Sequence, residues 1–473
     1  MEKKPDIKIK LPVNLKVIIE KLEKAGYEAF AVGGCVRDSI LNKKPKDWDV
    51  TTDAKPEEVK SIFGHTVDTG IKHGTVTVVF KENDSYTGYE VTTYRIDGEY
   101  ADHRHPDKVN FTGVLSDDLR RRDFTINAMA YNEKSGLIDL YGGYDDIKMG
   151  IIRAVGNPDE RFNEDVLRIM RAVRFSAQLN FDIDPDTIRA VRKHAHELEM
   201  VSKERINAEL TKILISDHPD KILTLYITGI TKVILPEFDV MMDTSQHHPH
   251  HIYSVGMHTV KVLTGISEQY RQKKYTYEEH VILAYCALLH DSGKPFVKTT
   301  DSKMVDHFYG HPEKSAEIAE KVLKRLKFDN NTIYYVKLLI YNHDNRFQDE
   351  NGNLSRTELR KGAAVLGRRA MPLMFELQRA DMRAQNPAMI PEKMEQLDAC
   401  IKEYENILEK GECISKDMLA VSGKDLISEG IKPGEMIGSL LDKLFNLVIQ
   451  NPEMNKKEEL LEIVRKECRK AGQ

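Results

Sequence analysis

The sequence predicts an α+β chain in which a small mixed β-sheet with helices is followed by helices alone. Before residue 153, short β-branched and aromatic runs such as TVTVVF and YTGYEVTTY alternate with helical patterns. After that residue, apolar side chains recur at helical spacing. The length of 473 residues is enough for three or four domains. We therefore divide the chain into a mixed head (1–153), a helical neck (154–240), a helical body (241–391) and a helical tail (392–473).

Composition excludes several classes of protein. Apolar residues make up 41% of the chain and charged residues 31%. No apolar run approaches the roughly 20 residues that cross a bilayer, and MEKKPDIKIK lacks the apolar core of a signal peptide. The five cysteines form no CxxC pair and are expected to be reduced. A net charge of −5 argues against indiscriminate binding of nucleic acid. We expect a cytoplasmic protein with no membrane partner.

The head is predicted from periodicity and turn residues. The expected elements are a helix over 12–25, strands over 27–32 and 47–52, a helix over 55–63, and strands over 75–80 and 86–94.

One stretch of the head, AVGGCVRDSILNKKPKDWDV, combines two chemistries. In a strand, side chains at i and i+2 point the same way, so Asp47 and Asp49 can hold one divalent cation between them. Gly33 and Gly34 lack a Cβ and let the backbone approach a phosphate, and the N–H groups of the following helix, which carries Arg37, favour an anion. The alternative is a loop with a surface DxD.

GGCVRD followed by DWD resembles the nucleotidyltransferase superfamily, in the class II branch of CCA-adding tRNA nucleotidyltransferases and bacterial poly(A) polymerases. The resemblance implies Mg²⁺ on Asp47 and Asp49, with Glu90 as a third carboxylate. A surface role for Glu90 is an equal alternative. The implied substrates are CTP and ATP, and the implied partner is tRNA.

Two further parts of the head carry the resemblance. Residues 95–109 (RIDGEYADHRHPDKV) are polar and aperiodic, and are similar to the family's flexible loop associated with the switch from C to A addition; a solvated connector is the alternative. RRDFTINA matches a motif that the family uses for ribose and triphosphate contacts. We carry these roles to Arg121, Arg122, Asp123 and Asn127, since guanidinium groups match phosphate oxygens and Asp123 can accept a ribose hydroxyl. A surface arginine patch is the alternative.

The neck is predicted to begin with one long helix over ERFNEDVLRIMRAVRFSAQL, which places Asp165 and Arg168 on one face. EDVLR matches the family's EDxxR element, in which Asp and Arg act as a protein template for cytosine and adenine. Arg171 and Arg174 add positive charge for the nucleotide. Glu204 and Arg205 resemble a later motif that supports this helix. An ordinary surface pair between Glu164 and Arg168 is the alternative.

The body contains a second candidate site. Its candidate ligands lie on or beside predicted helices and are His258, His290, Asp291, His311, His343 and Asp381. Imidazole and carboxylate suit Mn, Fe, Ni, Co or Zn, and the order of these residues resembles the HD-domain phosphohydrolases. That resemblance implies an RNA end with a damaged 2′,3′-cyclic phosphate as a second substrate. Buried structural histidines are the alternative, and HHPHH at 247–251 is predicted to be a loop.

The tail contains two turns, GKD and KPG, each before a helix. Gly423, Lys424, Lys432 and Gly434 can contact an RNA backbone there, and the segment is similar to the family tail that grips tRNA. A helix connector is the alternative.

The predicted function is untemplated addition of C, C and A to the tRNA 3′ end by two-metal chemistry. The alternatives are an A-adding enzyme or poly(A) polymerase, an HD phosphohydrolase acting on RNA ends, and an RNA-binding protein with an inactive head. The sequence makes no prediction of oligomeric state.

Overall fold

The computed structural model describes residues 7–82, 85–97, 109–249, 252–272 and 275–471. The chain divides into two compact units, Met1–Pro236 and Glu237–Gln473. A mixed sheet with helices lies in the first unit and the second is largely helical, so the predicted α+β class is confirmed. The finer four-domain division stays a proposal.

The head is built on a seven-stranded sheet of order β3-β4-β5-β2-β1-β8-β9. Its strands are β1 (Ala29–Val32), β2 (Asp49–Thr52), β3 (Thr66–Gly70), β4 (Thr75–Glu82), β5 (Ser85–Thr93), β8 (Met129–Asn132) and β9 (Gly136–Asp139). All neighbours pair antiparallel except β2 and β5, which are parallel. The inner strand β1 is buried along its whole length, as its sequence AFAV predicts.

One strand prediction and one loop prediction in the head were too long. The strand predicted over 47–52 begins only at Asp49, because its partner β1 ends at Val32 and the chain then turns at Gly33. The loop predicted over 95–109 starts and ends in a separate strand pair, β6 (Arg95–Asp97) with β7 (Val109–Phe111), because Arg95 pairs with Phe111. The rest of that predicted loop, 98–108, lies outside the described residues.

Short helices connect these strands. They are α1 (Val13–Lys24), α2 (Gly34–Ile40), α3 (Pro56–Ile62), α4 (Leu115–Arg120) and α5 (Gly143–Met149). Helix α3 starts where its sequence indicates, with Pro56 in the first turn and the Glu58 carboxylate accepting the N–H of Lys55. Phe30, Val32, Tyr94, Leu119 and Ala130 pack together in a buried cluster that joins the sheet to α4.

The neck follows as a set of helices with one short parallel strand pair, β10 (Ile151–Ile152) and β11 (Asp182–Ile183). Its helices are α6 (Pro158–Glu164), α7 (Arg168–Leu179), α8 (Pro185–His194), α9 (Lys203–Leu214), α10 (Ile222–Ile227) and α11 (Ile230–Ile234). The prediction of one helix through EDVLR was therefore wrong. Asp165 is extended (φ −143°, ψ 102°), and its Oδ1 accepts the N–H of Leu167 at 3.1 Å. A short carboxylate that caps the next turn competes with helix continuation.

The second unit consists mainly of helices. They are α12 (Pro236–Met242), α13 (Val255–Gln272), α14 (Tyr277–Leu289), α15 (Lys294–Val297), α16 (His311–Arg325), α17 (Asn330–Asn342), α18 (Arg356–Arg383), α19 (Ile390–Glu409), α20 (Gly423–Ser428), α21 (Glu435–Gln450) and α22 (Lys457–Ala471), with one strand pair, β12 (Thr299–Thr300) and β13 (Asp306–His307). From His280 to Leu289, helix α14 is buried on every face, so it forms the centre of the body. None of the described helices is long and apolar enough to cross a membrane.

Candidate active site

Three carboxylates lie near the start of strand β2. The parallel pairing places Asp49 beside Glu90, and Asp47 lies two residues before β2. Burial, the Glu90 charge and the Asp47 charge raise the pKa of Asp49 to about 6, although Arg122 opposes the shift. Repulsion among carboxylates is what a divalent cation relieves, and hard oxygen donors are the ligands that Mg²⁺ prefers. The donor set therefore fits a magnesium site.

The glycine turn lies against an arginine of a distant motif. Gly33 has φ +82° and caps α2, and a Cβ added there would lie 2.9 Å from Nη1 of Arg122. Helix α2 also carries Arg37, whose Nη1 donates to Oδ1 of Asn127 at 2.6 Å. The structure thus brings the GGCVRD and RRDFTINA motifs together, about ninety residues apart in the chain.

Arg121 and Arg122 are held in position by a buried carboxylate that was not predicted from the sequence. Asp118 is fully buried and accepts hydrogen bonds from Nε and Nη2 of Arg121 at 2.9 and 2.8 Å and from Nη2 of Arg122 at 3.3 Å. Thr51 on β2 donates to the same carboxylate at 3.1 Å. The two arginines are not an open surface patch. Asp118 precedes Arg121 by three residues and Arg122 by four. This helical spacing could have predicted the two contacts from the sequence.

Asp123 orders the neighbouring groups. Its Oδ1 accepts the side chain of Asn127 at 3.1 Å and the N–H of Phe124 at 2.9 Å, and its Oδ2 accepts both Nε and Nη2 of Arg171. Burial raises the pKa of this carboxyl, but Arg171 and Asn127 outweigh it and hold the pKa well below its usual range. Hydrogen bonds thus run from Arg37 through Asn127 and Asp123 to Arg171. The predicted ribose contact of Asp123 stays a prediction.

Three guanidinium groups surround one phenylalanine ring on α7. The guanidinium carbons of Arg37, Arg171 and Arg174 lie 5.0, 5.5 and 4.1 Å from the centroid of Phe175. Arg174 also forms an ion pair of 2.6 Å with the buried carboxylate of Glu209 on α9. Positive charge held in fixed positions suits a triphosphate. Phe175 and Glu209 were not predicted from the sequence, because only the tertiary fold shows that they are neighbours of these arginines.

The predicted template residues lie on either side of the break between α6 and α7. Nη2 of Arg205 donates to both oxygens of Asp165, at 3.1 and 2.9 Å. Nη1 of Arg168 donates to Glu164 at 2.6 Å and to the carbonyl of Arg161 at 3.1 Å, and its Nη2 donates to the carbonyl of Arg121 at 3.1 Å. Arg168 is buried, so it is not part of an ordinary surface pair. Both template groups are held in position by the protein.

The other five predicted ligands of the body lie around Asp291. Oδ2 of Asp291 lies 3.7 Å from Nε2 of His258 and 3.4 Å from Nε2 of His290, and Oδ1 lies 3.4 Å from Nε2 of His311 and 3.9 Å from Nε2 of His343. Asp381 adds its Oδ1 at 2.9 Å from His258. These residues form two groups that could hold a metal ion, and both groups contain Asp291.

The second nitrogen of each histidine is used by the backbone. Nδ1 lies within hydrogen-bond distance of a carbonyl in all four rings, with partners Ala384 for His258 (3.3 Å), Ala287 for His290 (2.9 Å), Phe308 for His311 (3.0 Å) and Ile340 for His343 (2.6 Å). Such a partner places the proton on Nδ1 and leaves the Nε2 lone pair towards the centre, as ligating histidines require. The ring orientations therefore fit a metal better than purely structural histidines.

The buried groups of the body differ in the protonation that their surroundings favour. Burial raises the pKa of Asp291, but His290 and the Lys294 ammonium, 2.8 Å from Oδ2, hold that pKa well below its usual range. Burial lowers the pKa of His343. Burial also lowers the pKa of His290, but the carboxylates of Asp291 and Asp381 outweigh it, so that the pKa of His290 is raised. Ionised carboxylates and neutral imidazoles are the forms that bind divalent cations. Lys294 was not predicted from the sequence, although it follows His290 and Asp291 closely in the run HDSGK.

Comparison with known proteins identifies the family. Residues 29–153 match the model of the poly A polymerase head domain, 180–242 that of the RNA and SrmB-binding site of polymerase A, and 307–464 that of tRNA nucleotidyltransferase domain 2. A CCA-adding enzyme of Ligilactobacillus salivarius is 36% identical over 454 residues, which cover 95% of each chain. The chain belongs to the CCA-adding enzyme family. The resemblance found in GGCVRD, DWD and EDVLR is therefore confirmed, and the chain is a nucleotidyltransferase of a class that uses divalent metal ions.

Solved structures of CCA-adding enzymes share the fold. The Bacillus stearothermophilus CCA-adding enzyme in complex with CTP has a TM-score of 0.67 and 28% identity, covering 98% of this chain and 100% of that one. The Thermotoga maritima CCA-adding enzyme complexed with tRNA has a TM-score of 0.60 and 20% identity, covering 98% and 97%, and supports the fold alone.

The residues of the tail that are predicted to contact RNA lie at the starts of two helices. Gly423 and Lys424 open α20 after the cap residue Ser422, and Lys432 and Gly434 precede α21. Both lysines are exposed. Their contact with RNA stays a prediction.

Proposed function

We propose that the chain adds C, C and A to the 3′ end of tRNA from CTP and ATP, without a nucleic-acid template and with release of pyrophosphate. The observation that carries the proposal is the convergence, within one unit, of the Asp49–Glu90 pair, the arginines around Phe175 and the fixed pair Asp165 and Arg168. Family membership over nearly the whole chain supports it. The cytoplasmic location stays a prediction.

The acidic end of β2 is the proposed reaction centre. Asp47, Asp49 and Glu90 would hold Mg²⁺, which lowers the pKa of the primer 3′-hydroxyl and stabilises charge on the triphosphate. Arg122, next to Gly33 and within the field of Asp49, is placed to bind phosphate oxygens close to these carboxylates. Metal and triphosphate would thus be bound by residues from distant parts of the head sequence.

The remaining phosphate contacts are proposed for Arg37, Arg171 and Arg174. Asp123 holds Arg171 through two donors and Asn127 through one, so it positions groups on α2 and α7 together. Preorganised donors stabilise developing charge without reorganisation during the reaction. Arg171 and Arg174 lie on α7, the helix that begins with Arg168. The same helix would therefore contact the triphosphate and carry a residue proposed for base choice.

Base choice is proposed for Asp165 and Arg168. Cytosine and adenine each present an amino donor beside a ring nitrogen acceptor, so one carboxylate and one guanidinium satisfy both. Uracil and guanine present a carbonyl and an N–H there, which opposes like groups and leaves buried polar atoms unpaired. Arg205 and Glu164 fix the two side chains before any nucleotide binds.

Incubating the protein with tRNA that lacks its 3′ end tests the function. We expect two nucleotides from CTP alone and three from CTP with ATP, read on a sequencing gel. Transfer RNA ending in CC should gain one A from ATP. A poly(A) polymerase would extend with ATP alone, and an A-adding enzyme would leave the CTP reaction unextended. Absence of CTP incorporation would contradict CCA addition.

A second candidate activity is metal-dependent hydrolysis of an RNA 2′,3′-cyclic phosphate in the body. The four inward-facing Nε2 atoms around Asp291 favour it. Mn, Fe, Ni, Co or Zn bound there would activate water for attack on the phosphate. We expect RNA ending in a cyclic phosphate to be opened by the Mn²⁺-loaded protein, and His290→Ala to abolish this while CCA addition continues. His196→Ala, an exposed histidine outside the site, is the control. Equal hydrolysis by the His290 variant would exclude the activity.

A further inference from the structure

Helix α8 is attached to the head at its N-terminal end. Asp184, the residue before the helix, accepts the N–H groups of Asp186 and Thr187 through Oδ2, and its Oδ1 accepts Nη1 of Arg153. Nε of Arg153 donates to both oxygens of Asp146 on α5, at 3.2 Å each. Asp146 and Asp184 are both buried. One guanidinium group thus joins a buried carboxylate on α5 to another at the start of α8.

The head side of this bridge is the RRDFTINA motif. Oγ1 of Thr125 donates to Oδ2 of Asp146 at 2.6 Å, and the N–H of Thr125 donates to the carbonyl of Arg153 at 2.9 Å. The N–H of Val155 donates to the carbonyl of Asp123 at 3.2 Å. Asp123 is the residue that orders the proposed phosphate contacts. Arg153 therefore joins α8 to the part of the head that would bind the triphosphate.

The C-terminal end of α8 holds α6. Nε2 of His194 lies 2.8 Å from Oδ1 of Asp159, and Nζ of Lys193 lies 3.0 Å from the same oxygen. Nδ1 of His194 lies 2.8 Å from Oε1 of Glu197, and its ring meets the buried ring of Phe162 edge-on, with centroids 6.3 Å apart. His194 is buried, whereas Lys193 is exposed. His194 is therefore the main residue that fixes α6 against α8.

Helix α6 in turn orients Arg168. The carbonyl of Arg161 and the carboxylate of Glu164 accept Nη1 of Arg168 at 3.1 and 2.6 Å. Helix α7 carries Arg168 and Arg171 on one backbone, but that backbone does not decide where the guanidinium group of Arg168 points. The acceptors on α6 decide it. Helix α8, ten residues and about 15 Å long, thus connects the proposed phosphate site to the helix that orients Arg168.

We propose that α8 is a spacer helix that sets the position of α6 relative to the phosphate-binding residues of the head, and that Arg153 and His194 are the positioning residues at its two ends. The inference rests on the proposed function of the same site, and it adds two residues that act on base choice without touching the nucleotide. A displaced α6 misaligns the groups that pair with the base, and selection depends on that pairing. Release of either end of α8 therefore lowers selectivity.

The ratio of kcat/KM for CTP and UTP on the same tRNA tests the spacer helix. We expect Arg153→Met and His194→Ala each to lower the ratio by about 2- to 30-fold. Arg189→Met and His196→Ala make the same changes on exposed residues nearby, and they should keep the parent ratio. A loss of folded protein lowers both rates by the same factor and leaves the ratio unchanged.

The double variant tests whether both ends act through one helix. Arg153→Met combined with His194→Ala should lower the ratio no further than the stronger single variant, because α8 is already released. Effects that multiply would indicate two independent sites and would overturn the spacer helix.

A second variant separates position from stability. Arg153→Met leaves the buried carboxylates of Asp146 and Asp184 without their shared cation, which destabilises the fold. Adding Asp184→Asn removes one of these charges, and asparagine still caps a helix, so the melting temperature should rise again. The CTP to UTP ratio should stay low, since α8 is still released from α5. A ratio that recovers with the melting temperature would show that Arg153 is merely structural.

Hydrogen exchange tests the spacer helix without any nucleotide. In both single variants, mass spectrometry should show faster exchange of the α6 amides (Pro158–Glu164) than in the parent. Unchanged exchange in α6 would overturn the inference, whatever the chain adds to tRNA.

Arg168→Ala separates failure of the spacer helix from failure of the proposed base choice. If Arg168→Ala lowers the CTP to UTP ratio and the Arg153 and His194 variants keep it, the spacer helix is overturned and the proposed base choice stands. If the Arg153 and His194 variants lower the ratio and Arg168→Ala keeps it, the spacer helix stands and a residue other than Arg168 selects the base.

Discussion

Asp49→Asn will lower nucleotide incorporation by at least about a thousandfold. Loss of a metal ligand removes several kcal/mol of transition-state stabilisation, and each 1.36 kcal/mol is tenfold in rate. Asparagine has nearly the same shape, so β2 and its pairing with Glu90 should persist. Single-turnover incorporation of labelled CTP measures the rate, and anisotropy of labelled tRNA should show unchanged binding, because the substitution leaves the exposed lysines of the tail in place.

Stability supplies an independent check on Asp49→Asn. Because burial and Glu90 raise the pKa of Asp49 to about 6, its ionised form destabilises the folded state above that pH. The cost is full above the folded pKa and disappears as the pH falls below the unfolded value of about 3.9. In EDTA, the melting temperature of Asp49→Asn should therefore equal or exceed that of the parent at pH 8, with a difference that shrinks towards pH 4. Asp68→Asn, an exposed ion-paired residue on β3, is the control and should keep full activity. Incorporation within tenfold of the parent would contradict the assignment.

The head shows which parts of a site local pattern can predict. Gly33, Arg37 and Asp49 stand in one stretch whose residue types already indicate metal and phosphate chemistry. The pattern does not show which residues, distant in the sequence, contact the side chains of the site. Asp118 joins Thr51, and Glu209 joins Arg174, only through the fold, and a buried carboxylate of this kind reads in sequence as an ordinary charged position on a helix.

The break at Asp165 shows a second limit. Apolar periodicity continues through EDVLR, so a helix was the natural prediction. Periodicity reports which residues are buried, and Val166, Ile169 and Met170 are buried as the pattern predicts. The conformation at Asp165 is decided instead by its bond to the N–H of Leu167 and by Arg205, forty residues away. In the body, ligand order predicted the six residues that converge, whereas the inward direction of each Nε2 depends on backbone carbonyls that no residue pattern encodes.

Arg168→Ala will reduce discrimination between CTP and UTP by about 5- to 150-fold, the effect of losing about 1–3 kcal/mol of paired hydrogen bonding to a base. The rate with CTP will fall too, since the carbonyls of Arg161 and Arg121 lose their donor. The measurement is the ratio of kcat/KM for CTP and UTP on the same tRNA. Arg192→Ala, an exposed arginine on α8, should leave the ratio unchanged.

Arg205→Met separates base pairing from structural damage. It removes no group assigned to the base, but it frees Asp165, whose two oxygens both accept from Arg205. A general loss of folded protein lowers the rates with CTP and UTP by the same factor and leaves their ratio constant. A misplaced template carboxylate changes the ratio, because only the correct base depends on its position. If both Arg168→Ala and Arg205→Met keep the parent ratio, base choice lies outside this pair. If both lower it, the extended residue between α6 and α7 sets specificity for a reaction centre formed by β2 and β5.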